Sequence, residues 1–168
     1  LTANTAYDFL ISSDCTTDYA SAVSFTTLPG CGDTVVNCYD GGVNKIAAAA
    51  VDTTGDYITV TFNAGSLEGG VDDVIVYDTL DATGNALYTG TGDVTGITVE
   101  STTGFISVWT DADGSWDCVD GIGGPYTPIS VTFTCAAPPS CENPSATISA
   151  ITATGATATW DAANGAAS

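Results

Sequence analysis

The stretch Tyr57-Ile58-Thr59-Val60-Thr61-Phe62 decides the fold class. Apolar and hydroxyl side chains alternate along it with a period of two, and Gly55 and Gly65 bound it, as is typical of a half-buried β-strand. Similar short runs between turn residues lie on both sides of it, at 7–11, 22–26, 71–77, 97–99, 105–109, 129–133, 146–151 and 156–160. Short strands at this spacing predict an all-β fold, a β-sandwich.

Only the run IAAAAV at 46–51 resembles a helix. It is short, has no capping residue and is soon followed by Gly55, so we interpret it as a strand or an irregular segment. Three segments can be separated along the chain. Residues 1–28 and 138–168 hold two strands each, and residues 29–137 form the largest unit, which is closed by Cys135 and the stiff linker at 136–140.

Charge is the most unusual property of the chain, because it contains 20 acidic residues, one Lys or Arg and no His, which gives a formal net charge of −19. A chain whose only basic side chain is Lys45 cannot neutralise a phosphate backbone or bind an anionic membrane surface, which excludes nucleic acid as a partner. No apolar run is long enough to insert in a membrane. Without His, no serine or cysteine triad and no His-based zinc site can form.

The acidic side chains also show no apolar surroundings that would raise a carboxyl pKa for general-acid catalysis. We therefore expect this chain not to be an enzyme. It contains no Met and no signal peptide, and we expect it to be a window from a longer polypeptide.

The six cysteines predict disulfides, since none forms the CxxC pairs typical of metal sites. Disulfides indicate an oxidising compartment, so we expect an extracellular or cell-surface location. Cys31, Cys38, Cys118 and Cys135 belong to the middle segment. The pairs Cys31–Cys38 and Cys118–Cys135 are favoured because they close short loops. Cys31–Cys135 with Cys38–Cys118, which would join the first strand to the last, is the close alternative.

The two ends of the chain resemble parts of fibronectin type III modules. Leu1 to Tyr7 resembles the stretch that enters strand F, with Tyr7 as the tyrosine-corner residue, and Ser24-Phe25-Thr26-Thr27 resembles strand G. Cys141-Glu142-Asn143-Pro144 and the run at 156–160 resemble strands A and B, with Trp160 as the core tryptophan. Cys15 and Cys141 would pair within such modules. The order implies a window from an array of modules; the alternative is that the end of one copy completes the start of the next by strand addition.

The middle segment resembles a CUB-like β-sandwich of the divergent kind found in secreted proteins of Bacteroidota. The cysteine spacing departs from the animal CUB pattern, so no disulfide connectivity follows from the resemblance, and Thr79 stands where the family has Gly. The matching stretches are Cys31-Gly32-Asp33-Thr34, Tyr39-Asp40-Gly41-Gly42, the strand at 57–62, Asp72-Asp73-Val74-Ile75-Val76-Tyr77-Asp78, the strand at 104–110 and Asp111-Ala112-Asp113-Gly114-Ser115.

The resemblance to CUB domains implies a Ca²⁺ ion at one end of the sandwich. Apart from any family, oxygen donors recur at every second position from 111 to 117, with Gly114 allowing a tight turn, and Ca²⁺ prefers such hard ligands. The other interpretation is an acidic surface turn. The ligands we predict are Asp73 or Asp72, Asp111, Asp113 and Ser115, with Asp40 or Glu68 as an early-loop acid.

The whole pattern is similar to the giant repeat surface adhesins of gliding Bacteroidota. It predicts a non-catalytic structural or adhesive segment whose partners are neighbouring modules or other copies in a filament. The alternative is an accessory module of a secreted hydrolase that binds surface glycans or protein. Trp116 is then the expected exposed contact, while Trp109 is expected in the core. Thr34, Thr53 and Thr79 resemble O-glycosylation acceptors of Bacteroidota.

Overall fold

The computed structural model of the protein describes residues 1–11, 21–51, 56–119, 126–138 and 146–160. Within these ranges the chain contains strands and no helix, so none of the described segments is a helix that could cross a membrane. The strands are β1 Ala6–Phe9, β2 Val23–Thr26, β3 Thr34–Asn37, β4 Gly42–Ala50, β5 Tyr57–Ser66, β6 Asp73–Tyr77, β7 Ala86–Gly90, β8 Thr98–Ser101, β9 Phe105–Ala112, β10 Thr127–Ala136, β11 Ala146–Thr152 and β12 Gly155–Trp160.

Two four-stranded antiparallel sheets form the centre of the fold. Their strand orders are β3-β10-β5-β8 and β4-β9-β6-β7. Alternate residues of the strands point between the sheets, so Ile58, Val60 and Phe62 of β5 are fully buried. Phe133 of β10 and Val108 of β9 join the same apolar cluster. The prediction of an all-β, sandwich-like class is confirmed.

The alanine-rich run at 46–51 lies largely in β4. Ile46, Ala47, Ala48 and Ala49 are all buried, which shows that both faces of the strand are covered here. A strand buried on both faces has no reason to alternate, and this is why the period-two pattern is missing. The register also shifts between Lys45 and Ala47, where β4 pairs with β9.

Trp109 lies on the outer face of its sheet and not in the core, contrary to expectation. Ile106 and Val108 point inward along β9, so Trp109 must point outward. The Lys45 ammonium lies 5.6 Å from the centre of its indole ring, and the indole N–H donates to Ser107 Oγ at 2.9 Å. Alternation alone does not say which face of a strand is buried, so it could not show that Trp109 is on the outer face.

The disulfides join Cys31 to Cys135 and Cys38 to Cys118, so the favoured pairing of near neighbours is wrong and the alternative is found. Sheet pairing is the reason. β3 pairs with β10 through Thr34 and Thr132, and Gly32 N donates to Phe133 O at 2.7 Å. This register continues to Cys31 and Cys135, whose Cα atoms are 5.5 Å apart although 104 residues separate them in sequence.

The chain forms two compact units, Leu1–Ala137 and Pro138–Ser168. The described part of the second unit is the hairpin of β11 and β12, and the first unit contains the hairpin of β1 and β2 as well as the sandwich. The assignment of residues 1–28, 29–137 and 138–168 to three modules stays a prediction. Cys15, Cys141, Thr53 and the side chain of Trp160 lie outside the described residues.

Candidate functional site

Three acidic side chains converge at one end of the sandwich. Glu68 and Asp72 belong to the loop between β5 and β6, and Asp113 directly follows β9. One carboxylate oxygen of each lies within 4.8 Å of the others. Asp72 is fully buried, Glu68 is half-buried and Asp113 is exposed. We call these three residues the acidic cluster.

A tight turn between β5 and β6 places Glu68 next to Asp72. The backbone N–H groups of Val71 and Asp72 donate to Glu68 O at 3.3 and 3.0 Å. Thr91 fixes the turn from the next hairpin, because its hydroxyl donates to Glu68 O at 2.9 Å and accepts from Gly70 N at 2.8 Å. Backbone and threonine contacts therefore fix the turn that holds Glu68 next to Asp72.

Asp72 is the centre of the cluster. Its Oδ2 accepts a hydrogen bond from the Tyr39 hydroxyl at 3.3 Å, and its Oδ1 accepts one from Asp113 N at 3.1 Å. Asp113 in turn accepts from the backbone N and the hydroxyl of Ser115 at 2.9 and 2.8 Å, which closes the turn after β9. The buried carboxylate thus positions the loop that carries the exposed one.

Negative charge accumulates here without a basic side chain to balance it. Burial raises the pKa of Glu68, and the charges of Asp113 and Asp72 raise it further. Burial first, and then the charge of Asp72, raises the pKa of Tyr39 above its usual value of 10.0, so Tyr39 remains a neutral donor. Lys45, the only Lys or Arg of the chain, donates to Leu80 O at 3.4 Å and does not serve this cluster.

The sequence predicted no carboxyl group with surroundings that raise its pKa. The structure corrects this expectation, because this end of the sandwich contains buried carboxyl groups and a glutamate whose pKa is raised. Asp72 and Asp117 are both fully buried. The charge of Asp117 is among the causes that raise the pKa of Tyr39. Buried carboxylates are costly unless they are paired or bind a cation, which makes this end of the sandwich a candidate metal site.

The predicted calcium ligands are divided between two faces. Asp72 and Asp113 come together with Glu68, which with Asp40 was one of the two candidates for the early-loop acid. Asp73 and Asp111 pair with each other across β6 and β9 on the outer face of the sheet, away from Asp72. Ser115 contacts Asp113, while Asp40 accepts from Gly41 N at 2.8 Å within its own turn.

The oxygen spacing of the acidic cluster fits a calcium ion. Ca²⁺ takes six to eight oxygen ligands at about 2.3–2.6 Å, so two of its ligands can be about 5 Å apart at most. The 4.8 Å limit within the cluster satisfies this requirement. Three carboxylates supply part of the coordination shell, and the remaining positions suit backbone carbonyls and water.

The other predicted contact residues lie apart from the acidic cluster or at its edge. Trp116 follows the turn of Asp113, is 46% exposed and has a positive φ of 59°. Thr34 is exposed on β3, where its hydroxyl shares a hydrogen bond with Thr132 at 2.7 Å. The Thr79 hydroxyl donates to Asp81 O at 2.7 Å.

No protein-family model matches the chain, and a comparison with curated proteins finds no similar sequence. The resemblances to CUB and fibronectin type III modules and to giant surface adhesins therefore remain predictions.

Proposed function

We propose that this chain is a load-bearing, non-catalytic segment of a long secreted or cell-surface protein. The observation that carries the proposal is the position of the Cys31–Cys135 disulfide. Cys31 stands where the chain enters the sandwich, three residues before β3, and Cys135 lies near the end of β10, the last strand of the sandwich. The bond joins the entry and the exit of the module.

A disulfide in this position gives tension a covalent path around the fold. Force that enters at Cys31 passes directly to Cys135, so the residues between them cannot be pulled out while the bond is intact. The nested bond Cys38–Cys118 protects a further 80-residue loop inside the first. A pairing of near neighbours would have offered no such path. Two disulfides also indicate an oxidising environment, extracellular or periplasmic.

The experiment is single-molecule extension of the full chain with a handle at each end. We expect the oxidised protein to show no release of the sandwich and the reduced protein to release the loop of 104 residues, about 35 nm of chain. A release of that size from the oxidised protein would refute the proposal.

Matched cysteine variants sharpen the same experiment. Cys38→Ser/Cys118→Ser keeps the outer bond, so the oxidised variant should show no release. Cys31→Ser/Cys135→Ser loses the outer bond but keeps the inner one, so release is limited to the difference between 104 and 80 residues, about 8 nm.

We also propose that the acidic cluster binds Ca²⁺ and thereby stabilises the end of the sandwich. The support is the combination of a buried Asp72, a Glu68 whose pKa is raised, and the absence of any basic side chain near them in the described residues. A bound cation would offset the repulsion among these charges and hold the turn after β9 to the turn before β6.

Calorimetry on chelated protein tests the calcium proposal with a control from the neighbouring residue. Asp72→Asn should abolish the heat of Ca²⁺ binding. Asp73→Asn removes the same charge one position away, on the outer face, and should leave binding intact. No heat in the unaltered protein at millimolar Ca²⁺, or equal loss in both variants, would contradict the assignment.

Exposure of Trp116 favours a second candidate function, that of an accessory carbohydrate-binding module of a secreted hydrolase. An exposed indole beside a polar loop can stack on a sugar ring. Phe105 is a matched control, because it is 45% exposed against 46% for Trp116 and lies at the start of β9. Glycan-array binding that is lost in Trp116→Ala and kept in Phe105→Ala would favour this function over the structural one.

A further inference from the structure

The hairpin of β1 and β2 exposes one face made of aromatic and aliphatic side chains. Its register pairs Tyr7 with Phe25 and Phe9 with Val23 on one face, while Asp8 and Ser24 pair on the other. The rings of Tyr7 and Phe25 stack with their centres 5.8 Å apart. Phe9 is 58% exposed, Val23 65% and Phe25 43%. The hairpin thus has the alternation of a half-buried sheet, but its apolar face is open to solvent.

The hairpin of β11 and β12 has the same design. Ile148 pairs with Ala158 on one face, and Thr147 pairs with Thr159 on the other. Ile148 is 64% exposed and Ile151, near the turn, is 76% exposed. This hairpin too is a sheet with one apolar and one polar face.

Neither hairpin has enough strands to be stable in isolation. A single two-stranded hairpin is at best marginally stable in water, and a third strand or a packed second layer is needed. In the described residues each of these sheets has two strands. A two-stranded layer with an open apolar face is complementary to another layer of the same kind, as in the two layers of a sandwich.

The distribution of charge selects these faces for contact between copies. Of the 20 acids of the chain, only Asp8 falls in residues 1–11 and 21–29, and none falls in residues 146–160. The acidic sandwich repels other copies, whereas a contact between the hairpin faces buries no charge.

The area of the apolar face determines how strong a contact between two copies can be. Phe9 and Phe25, 58% and 43% exposed, together leave about 200 Å² open to solvent. Val23, 65% exposed, extends this patch toward the few hundred Å² at which apolar patches mark interaction sites. A standard interface needs about 800 Å² per partner, so this contact falls below it and should be weak.

We infer that copies of this chain associate head to tail, with the apolar face of the β1–β2 hairpin of one copy packed on the apolar face of the β11–β12 hairpin of the next. The inference rests on the proposed structural role, for which it names the partner surface. A contact between two different surfaces leaves one free face at each end, so it generates a filament unless the rotation closes a ring.

Sedimentation velocity on the full oxidised chain tests the inference. The concentration should run from about 1 µM to about 500 µM because the contact is small, and about 0.5 M NaCl should be present because salt screens the repulsion between sandwiches. We expect a series of oligomers that grows with concentration. A monomer throughout would overturn the inference and leave the covering strands to other parts of the same polypeptide.

Two blocked variants determine which surfaces meet. Phe9→Thr/Val23→Thr removes the face of the first hairpin and Ile148→Thr that of the second, and Thr keeps strand propensity at exposed positions. Each variant alone should be monomeric, and an equimolar mixture should form dimers and nothing longer, since each supplies the face that the other lacks. Dimers of Ile148→Thr alone would show that the first hairpin pairs with itself, and would overturn the head-to-tail arrangement.

Val36→Thr is the matched control. Val36 lies on β3 and is 65% exposed, as Val23 is. It should associate like the unaltered protein; loss of association here would make the effect of Val23 nonspecific and contradict the inference. The extension experiment on the Cys31–Cys135 bond is read from single molecules, so failure of assembly and failure of the load-bearing function are separate results.

Discussion

Single carboxylates in this protein differ sharply in what surrounds them, although all belong to one acidic chain. Asp72 is buried among other acids. Asp81 accepts hydrogen bonds from the Thr83 hydroxyl and backbone N at 2.6 and 3.1 Å, and these lower the pKa of Asp81 from its usual value of 3.8. Because the pKa is lowered on folding, Asp81 contributes stability above its usual pKa, and this contribution disappears as the pH falls through the folded value.

We expect Thr83→Ala to raise the pKa of Asp81 toward 3.8, because the Thr83 hydroxyl is the largest cause of the shift. Carboxyl NMR titration measures this directly, and the variant should lose less stability than the unaltered protein on acidification. Thr95→Ala is the control, since Thr95 lowers the pKa of Asp93 and not that of Asp81. An unchanged Asp81 pKa in Thr83→Ala would refute this explanation.

At the scale of elements, two turns meet back to back beside the acidic cluster. Gly41 precedes β4 and Gly114 follows β9, and a Cβ atom on Gly41 would collide with the backbone of Gly114. Gly41 therefore cannot accept a side chain unless the two turns separate. The turn after β9 carries Asp113, so the close approach of these glycines helps to set the geometry of the cluster.

We expect Gly41→Ala to lower the free energy of unfolding by about 1–3 kcal/mol, the usual cost of overpacking, and to weaken Ca²⁺ binding by displacing Asp113. Thermal denaturation with and without Ca²⁺ measures both effects. Gly69→Ala serves as the control at the same end of the sandwich, because its Cβ would meet no atom within 4 Å. Equal effects of the two variants would argue against the turn contact.

At the scale of the whole molecule, the net charge of −19 opposes compaction. Salt screens this repulsion, and with one Lys in the chain there is little favourable ion pairing for salt to weaken. We expect the Tm of chelated protein to rise with NaCl and equally with KCl. A Tm that falls with added salt, or that depends on which cation is used, would show that general repulsion is not the main electrostatic effect on stability.

The sequence predicted best those features that depend on local alternation. β5, β9 and β10 follow a period-two pattern, and the prediction of a strand at each of these places is confirmed. β3 and β7 were missed because they show little apolar alternation. Alternation left Asp72 and Asp73 as alternatives, because both faces of this strand carry apolar residues, and only the burial of Val74 shows that Asp72 is on the inward side.

Features that depend on distant contacts could not be predicted from local pattern. The disulfide pairing follows from the pairing of β3 with β10, and loop length alone favoured the wrong partners. Glu68 joins Asp72 through a backbone turn anchored by Thr91, which leaves no periodic signal in the sequence. In both cases the decisive information is which segments meet in space.

The nesting of the two disulfides also determines the order in which the paired cysteines become available during synthesis. Cys38 precedes its partner by 80 residues. Synthesis of this stretch takes about 4–16 s at ordinary rates. During that interval Cys31, seven positions away, is the only partner from the sandwich within reach. In a chain that is exported as it is synthesised, these thiols would have to stay reduced until Cys118 has crossed, or an isomerase would have to exchange the premature bond later, a reaction that takes seconds to hours. The bond that would hold the mature segment under tension is thus the last to become available.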